Sequence, residues 1–479
     1  MPAPDYRKRI PLNFAGASYT TRSRDVSMQS TVNWYPEVIG DQVVLYPTPG
    51  VTLLTSLGFG PHRGSIVFKD NAYFVSGDTL YKMDSLELIT AVGTLITSSG
   101  RVSMATNGSQ GDQLIIVDGA NGYIYDESTL TAIVDADFPA NPATVSFKDT
   151  YFIVTSTDSP LFFVSDSNDG SSWSALQFAS AERNPDNIVA GVTNESDLWL
   201  LGEYTCEAWG SSSAEVPFDV YGNGLLDIGC AARDSVAKTA GVVLMLAKDE
   251  TGQARFVAIK GLDWSIISNT GLEYILSTYN TIDDAYAEIY QQAGHSFYQI
   301  TFPTENATWV YDLDIGDKDK AWHQRKTGDD AHLMATVLFY KGKLYVGDRR
   351  NTKLYTLDLD KYSDNGELVK RERIGRHNEV YQERLRYDMF ELELETGVGL
   401  TESEGQGSDP KILLDWSDDG GHTWENTIHL DGPGIGEYRK RVLYHHMGMA
   451  RDRVFRVRVS DPIKWVIKEA YVTVEQMAH

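Results

Sequence analysis

One phrase of sequence recurs along this chain and constrains its fold more than any other feature. A short apolar strand runs into a turn, and a second strand then closes on aromatic residues and an aspartate. Clear copies span residues 73–84, 114–126, 151–166 and 344–358. Because a single hairpin of this kind cannot bury its apolar faces alone, a series of them predicts the stacked blades of a β-propeller.

The spacing of the phrase predicts the number of blades. Seven copies start at residues 73, 114, 151, 198, 243, 297 and 344, which gives steps of 41, 37, 47, 45, 54 and 47 residues. A four-stranded blade takes about 40–50 residues. With one hairpin per blade, we expect a propeller over residues 61–370 with six or seven blades. Six stays open because the copy that starts at Val243 is weak.

The two flanks of the repeat differ from it. Residues 1–60 are irregular, rich in turns, proline and aromatic residues, and predict an N-terminal arm that packs on the propeller. A charged bridge at 370–373 leads into residues 371–479, where strands alternate strictly between apolar and charged side chains. This alternation predicts a C-terminal antiparallel β-sandwich-like domain. The expected fold class is therefore all-β.

Composition bears on membrane insertion, on the compartment in which the chain folds and on DNA binding. No segment approaches the roughly 18 continuous apolar residues of a membrane helix, and the N-terminus lacks the apolar run of a secretory signal. The two cysteines, Cys206 and Cys230, are expected to be free thiols in a chain that folds in the cytosol. The formal net charge of −25 disfavours tight DNA wrapping but is compatible with DNA that slides past.

One motif in the C-terminal region matches the Asp box, S-x-D-x-G-x-T-W. In such a turn the aspartate accepts backbone N–H groups, glycine supplies a positive φ, and tryptophan packs beneath. Asp boxes occur in sialidases, where they lie on outer turns away from the catalytic centre. We therefore predict a structural role for the five residues of this turn, which are Ser417, Asp419, Gly421, Thr423 and Trp424.

The residues that an enzyme or a metal site would need show no suitable spacing. A sialidase-like glycosidase would need an arginine cluster, and the spacing of Arg63, Arg101, Arg183 and Arg233 selects no such set. The acidic stretch 312–319 resembles a calcium loop, but its twelfth position is His323 instead of the bidentate glutamate. We predict no catalytic residues, no metal and no cofactor.

One part of this acidic chain is basic. Residues 437–468 contain nine Lys or Arg and three Asp or Glu. One interpretation is the polar face of a sheet. The alternative is a docking face for an acidic surface, on the next protomer or on another protein. The residues assigned to this predicted docking face are Arg439, Lys440, Arg441, Arg456 and Arg458.

Several phrases spread over the whole chain resemble a known family. They lie at 48–52, at 63–64, at 100–105, at 184–191 and at 440–443. Their amino-acid sequences and their order along the chain are similar to those of the packaged-DNA stabilisation proteins, or nozzle-type tail hub proteins, of short-tailed bacteriophages. The chain departs from the family pattern in its Glu/Gly/Ser loop near 402–409 and in its complete Asp box.

The resemblance implies a structural virion protein without enzymatic activity. Such a protein would form a homo-oligomeric ring, with six copies expected, below the portal and its adaptor ring. It would seal the packaged DNA, carry tailspikes or tail fibres, contact a tail needle or plug, and form part of the channel through which double-stranded DNA leaves. It would be located in the virion tail, would assemble in the cytoplasm of the host bacterium, and would not insert into a membrane itself.

Two other functions stay open on the sequence alone. One alternative is a sialidase-like glycosidase, because of the Asp box. The other is a cellular protein-interaction propeller, which would show the same repeat.

Overall fold

The N-terminal segment is built of strands. The computed structural model describes residues 7–108, 111–181, 186–214, 216–379, 383–400 and 406–476. Residues 7–56 contain six strands, which are β1 (Arg7–Pro11), β2 (Tyr19–Thr20), β3 (Met28–Val32), β4 (Trp34–Ile39), β5 (Gln42–Pro47) and β6 (Gly50–Ser56). The sequence interpretation of residues 1–60 as an irregular arm was therefore wrong for this part of the chain.

The first three blades follow as four-stranded antiparallel sheets of consecutive strands. Blade 1 contains β7 (His62–Phe68), β8 (Asn71–Ser76), β9 (Thr79–Met83) and β10 (Ile89–Thr94). Blade 2 contains β11 (Ser103–Thr106), β12 (Leu114–Val117), β13 (Gly122–Tyr125) and β14 (Leu130–Ala132). Blade 3 contains β15 (Pro142–Lys148), β16 (Tyr151–Ser156), β17 (Leu161–Asp166) and β18 (Asp169–Ser180).

Blades 4 to 6 repeat this arrangement. Blade 4 contains β19 (Ile188–Asn194), β20 (Asp197–Gly202), β21 (Cys206–Ser211) and β22 (Phe218–Leu226). In blade 5 the inner strand is divided into β23 (Gly229–Cys230) and β24 (Ala237–Thr239), followed by β25 (Val242–Lys248), β26 (Ala254–Lys260) and β27 (Asp263–Ile266). Blade 6 contains β28 (Tyr286–Gln292), β29 (His295–Phe302), β30 (Ala307–Asp312) and β31 (Trp322–Gln324).

Blade 7 is completed by the N-terminal segment. A small hairpin of β32 (Lys326–Thr327) and β33 (Asp330–Ala331) precedes β34 (Met334–Tyr340), β35 (Lys343–Asp348) and β36 (Lys353–Asp358). The fourth strand of this blade is β6, which pairs antiparallel with β36. Two short strands, β37 (Ser363–Asp364) and β38 (Glu367–Leu368), extend the sheet beyond β6. Because β34 packs against β7, the ring closes at seven blades.

Apolar side chains fill the spaces between successive blades. Tyr73 of β8 belongs to a cluster shared with blade 2, whereas its neighbour Phe74 belongs to a cluster shared with blade 7. Successive side chains of a strand point to opposite faces, so each hairpin contributes to two interfaces. A short helix, α1 (Thr270–Leu276), fills the long connection between blades 5 and 6, and the side chain of Asn269 caps it.

The C-terminal region forms two facing sheets. Its strands are β39 (Arg371–Ile374), β40 (Asn378–Glu379), β41 (Leu385–Leu394), β42 (Lys411–Ser417), β43 (Ile428–Asp431), β44 (Val442–His445), β45 (Met449–Ala450), β46 (Asp452–Val459) and β47 (Ile467–Gln476). One sheet has the order β4-β5-β47-β41-β44, with β1 on β47 and β45 on β41. The other has the order β3-β39-β46-β42-β43 and continues through β3 into blade 6.

The N-terminal segment thus belongs to the propeller and to the sandwich at once. β1, β4 and β5 lie in one sandwich sheet, β3 lies between the other sandwich sheet and blade 6, and β6 closes blade 7. Its apolar side chains Leu12, Phe14, Trp34 and Leu45 lie in the core between the two sandwich sheets. The all-β architecture of a propeller followed by a β-sandwich is confirmed.

Candidate docking surfaces and axial channel

The Asp-box turn joins β42 to β43 and is held by its own side chains. The hydroxyl of Ser417 donates to Asp419 at 2.7 Å and accepts the amide of Gly421 at 2.8 Å. Asp419 accepts both the amide and the hydroxyl of Thr423, at 2.8 and 2.6 Å. These hydrogen bonds lower the pKa of Asp419 well below its usual range. The carboxylate is therefore engaged inside the turn.

The same turn packs on the N-terminal segment. Gly421 has a φ of +85°, and a Cβ atom at this position would lie 2.0 Å from the sulfur of Met28. On the other side, the Arg456 guanidinium carbon lies 4.1 Å from the ring centroid of Trp424. The turn therefore fixes the contact between the N-terminal segment and the sheet that carries β42 and β46.

Two arginines of the predicted docking face are engaged by a buried carboxylate. Arg456 and Arg458 lie two residues apart on β46, and both guanidinium groups bind Oδ2 of Asp415 on β42, at 3.1 and 2.8 Å. Asp415 is fully buried. Arg458 also donates to the hydroxyl of Thr427 at 3.0 Å. Both guanidinium groups are thus bound to one internal carboxylate, and one net positive charge remains on the group of three side chains.

The other three residues of the predicted docking face lie in the loop between β43 and β44. Lys440 pairs with Glu437 at 2.9 Å, and Arg441 pairs with Glu391 on β41 at 2.8 Å. Arg439 is exposed and forms no ion pair with any residue in the described part of the chain. Of the predicted set, Arg439 therefore has the most accessible charge.

Arg441 lies on the opposite face of the sandwich from Arg456 and Arg458. Phe390 and Leu392 of β41 point into the core, so Glu391 and its partner Arg441 lie on the outer side of that sheet. Phe455 and Val457 of β46 point into the same core from the other sheet, which places Arg456 and Arg458 on the opposite outer face. The five residues therefore do not form one face, because Arg441 lies on the outer side of one sheet and Arg456 and Arg458 lie on the outer side of the other.

The propeller axis contains a cavity of about 570 Å³. Its wall is formed by the inner strands of six blades, with small and hydroxylated side chains such as Ser65, Ser103, Thr144 and Gly191. Hydroxyl groups join neighbouring blades here. Ser103 accepts the amide of Val145 at 3.0 Å, and Thr144 accepts the amide of Gly191 at 2.9 Å.

One arginine side chain crosses this axial cavity. Arg101 precedes β11 in blade 2, yet its guanidinium pairs with Glu288 of blade 6 at 2.5 Å and donates to the carbonyl oxygen of Ala335 in blade 7. The guanidinium carbon also lies 4.9 Å from the ring centroid of Tyr286. Burial raises the pKa of Glu288, and the guanidinium opposes that shift. Arg101 connects blades that are far apart in sequence and reaches across the channel.

The arginines that a glycosidase would use do not converge on a substrate site. Arg63 is buried and donates to the carbonyl oxygens of Gly77 and Gly100. Arg233 pairs with the adjacent Asp234. Arg183 lies outside the described residues, as do residues 402–405 of the Glu/Gly/Ser loop.

The acidic stretch 312–319 does not form a calcium loop. Asp312 is buried and binds Nδ1 of His295 at 2.7 Å, while His323 lies in the protein interior. Within the described ranges, no three His, Cys, Asp or Glu side chains are placed together as metal ligands would be. The thiols of Cys206 and Cys230 are free and buried, and burial raises the pKa of Cys230 to about 12.

In the described part of the chain, no helix is long and apolar enough to cross a membrane.

Sequence reasoning missed two features that only the folded chain reveals. One is the bridge formed by Arg101, since nothing in its local sequence indicates partners in blades 6 and 7. The other is the exposure of Ile435 and Tyr438 beside Arg439. The glycines at 432, 434 and 436 mark this segment as a loop, which was the available signal for an exposed aromatic residue.

The two structural units match the two parts of one protein family. Residues 8–362 match the family described as Bacteriophage P22 Gp10, beta-propeller. Residues 371–475 match the family described as Bacteriophage P22 Gp10, beta-sandwich. The chain belongs to the P22 Gp10 family. The resemblance to phage tail hub and DNA-stabilisation proteins that the sequence indicated is thereby confirmed.

Other comparisons add no functional argument for this Gp10-family chain. No curated protein matches it. Among solved structures, the N-terminal domain of Nup159 is 10% identical, with 68% of this chain and 98% of that chain covered and a TM-score of 0.40. The designed protein Ika8 is 10% identical, with coverages of 72% and 100% and a TM-score of 0.36. PorZ of Porphyromonas gingivalis is 12% identical, with coverages of 79% and 46% and a TM-score of 0.38.

Proposed function

We propose that this Gp10-family chain forms a ring, with six copies, in the tail of a short-tailed phage. In this proposal the ring attaches below the portal and adaptor, seals packaged DNA, anchors tailspikes or fibres, contacts a tail needle or plug, and surrounds the DNA that leaves the head. The observation that carries the proposal is the family match over residues 8–362 and 371–475. The proposed location is the virion tail, after assembly in the host cytoplasm.

The size of the axial cavity supports a multi-copy channel. A cavity of about 570 Å³ has the size of a small-molecule site, and the side chain of Arg101 crosses it. Duplex DNA therefore has no path through a single propeller. A channel for DNA requires several copies around a shared axis.

The distribution of charge supports passage of DNA without adhesion. Residues 61–370 contain 22 Lys and Arg against 43 Asp and Glu, a net charge of −21 within the −25 of the whole chain. A surface of this sign repels phosphate groups, whereas tight DNA binding depends on contacts from Lys and Arg. A wall of such propellers would let DNA slide during ejection.

The proposal is tested by the mass of the assembled protein. Native mass spectrometry of the purified chain, alone and with the adaptor protein of the same phage, should show a closed ring bound to the adaptor. A chain that stays monomeric under all conditions and never binds the adaptor would contradict the proposal.

We also propose that the chain acts without catalysis, since it belongs to a family of phage tail proteins. Fluorogenic sialosides and other glycosides should remain intact in its presence. Turnover that follows the purified chain through gel filtration would overturn this part of the proposal.

A further inference from the structure

The loop between β43 and β44 exposes an aromatic and an aliphatic side chain next to positive charge. Tyr438 is 73% exposed and Ile435 is 53% exposed. Arg439 follows Tyr438 directly, and its charge is not used within the described part of the chain. Tyrosine and arginine are enriched among the residues that contribute most to protein–protein binding. We call residues 432–441 the β43–β44 loop.

The β43–β44 loop is held in one shape by contacts at its base. Thr396 donates its hydroxyl to the carbonyl oxygen of Tyr438 at 2.9 Å. The carboxylate of Glu437 accepts the amide of Gly434 and the ammonium of Lys440, both at 2.9 Å. A Cβ atom at Gly397 would lie 2.3 Å from the Tyr438 ring, so the aromatic ring rests on this glycine. A loop already ordered in this way loses little conformational entropy when it binds.

The charge of the β43–β44 loop is opposite to that of the propeller. The loop has three cations, Arg439, Lys440 and Arg441, and one acid, Glu437. The propeller region, residues 61–370, has a net charge of −21. Opposite potentials on two surfaces favour and orient their association. Within an identical copy, the propeller region carries most of the negative charge, so the propeller of a neighbouring copy is the acidic partner available to this loop in a ring.

We propose that the β43–β44 loop docks on the acidic propeller of a second copy of this chain. Tyr438 and Ile435 supply the apolar contact, and Arg439 supplies the charge that selects an acidic partner. Such an interface joins two different surfaces, sandwich to propeller, and repeats from copy to copy, which gives a ring when the rotation between copies closes. The proposal rests on the ring assembly proposed above and assigns the surface that builds it.

The partner is identified by photo-crosslinking. Benzoylphenylalanine replaces Tyr438, and the protein is assembled from a mixture of light and ¹⁵N-labelled copies, so that crosslinks between copies carry both isotopes. We expect mixed-isotope crosslinks from position 438 to peptides within residues 61–370. Crosslinks confined to the same copy, or to a different tail protein in purified virions, would overturn the assignment. The same substitution at the exposed Val26, which lies outside both the propeller and the β43–β44 loop, is the control.

The energetic contribution is tested with Tyr438→Ala combined with Arg439→Glu. Both side chains are exposed, so the thermal midpoint of the isolated chain should be unchanged. The concentration at which half of the rings dissociate should rise at least tenfold, while Val26→Ala, outside both proposed contact surfaces, should leave it unchanged. Stable wild-type rings and equally stable variant rings would refute the docking assignment alone. Absence of rings from the wild-type chain would refute the ring itself and the assignment with it.

Discussion

An aspartate at the end of the first strand of the recurring phrase organises the hairpin turn in the same way in distant blades. In blade 2, Asp118 accepts the amides of Ala120 and Asn121, and the Tyr123 hydroxyl donates to it at 3.1 Å. In blade 7, Asp348 accepts the amide of Arg350 at 2.8 Å, and the hydroxyl of a following tyrosine donates to it at 3.3 Å. The aspartate thus closes the hairpin turn and orients the tyrosine that fills the space between blades.

Buried histidines impose a second constraint at the scale of single residues. Both ring nitrogens of His62 and Nδ1 of His323 lack a hydrogen-bond partner among the described residues. Burial lowers the pKa of His62 to about 4 and that of His323 to about 3. Both side chains are neutral in the folded protein at neutral pH.

Acidification is therefore expected to destabilise the protein. The unfolded chain protonates His62 near its ordinary pKa of about 6.5, and the folded chain does so only near pH 4. The stability from keeping His62 neutral is present above pH 6.5 and is lost as the pH falls toward 4. Between pH 7 and pH 5 this loss is about 2 kcal/mol. In urea unfolding, wild type should lose about that much more free energy of unfolding than His62→Gln, and equal losses would contradict the assignment.

At the scale of elements, β46 and β42 are joined by charge as well as by their ladder. Asp415 of β42 is opposite Arg456 in the register, and the guanidinium groups of Arg456 and Arg458 both reach its carboxylate. A buried carboxylate that loses its cationic partners is strongly destabilised. The sequence alone presents these arginines as a charged outer face, because the aspartate that pairs with them lies about 40 residues earlier in the chain.

Reversal of Arg456 and Arg458 to glutamate is expected to weaken the fold itself. Three acids would then meet at one buried position, and the free energy of unfolding should fall by about 3 kcal/mol or more. A docking face without structural contacts would instead leave the stability of the isolated chain unchanged. Urea unfolding of the isolated chain measures the difference. Arg439→Glu is the control, because this exposed side chain should change stability by less than about 0.5 kcal/mol. A double variant as stable as that control would refute the structural role of the pair.

Two arginines of β39 show how the N-terminal segment is held. The sequence presents residues 370–373 as a charged bridge, yet Arg371 and Arg373 are completely buried. Arg373 donates to the carbonyl oxygens of Phe14 and Ala17 at 2.7 and 2.9 Å and to the Thr31 hydroxyl at 2.8 Å. Burial lowers its pKa to about 9. One side chain of β39 thereby connects three parts of the N-terminal segment.

At the scale of the whole molecule, the propeller and the sandwich share strands and are joined into one continuous structure. β3 lies between β31 of blade 6 and β39 of the sandwich, and the side-chain amide of Asn33 donates to the carbonyl oxygens of Lys326 and Lys370. The Trp34 indole also donates to the carbonyl oxygen of Trp465 at 2.8 Å. Strands from the first 56 residues are needed by both units.

A fragment of residues 371–479 is therefore expected not to fold alone. It lacks β1, β3, β4 and β5 and the core side chains that they carry, such as Phe14 and Trp34. Its amide NMR spectrum should show the narrow dispersion of an unfolded chain, and the intact protein should unfold in a single calorimetric transition. A well-dispersed spectrum from the fragment, or two separate transitions from the intact chain, would contradict this prediction.

Local sequence patterns are enough to predict the blades, because a hairpin is a local structure. Period-2 alternation, turn-forming glycine and aspartate, and the 37- to 54-residue steps all act between residues close in the chain. These local signals located the start of every one of the seven hairpins and the change of pattern near residue 370. They also identified the Asp box as a turn.

The positions of the long-range partners follow from the folded structure and cannot be read from local patterns. The closure of blade 7 by β6, the pairing of Asp415 with two arginines, and the bridge from Arg101 to blades 6 and 7 each join residues far apart in sequence. The sequence alone does not show whether a charged side chain is solvated at the surface or paired in the interior. Its role depends on which surface folding brings against it, and that is determined by the packing of the whole chain.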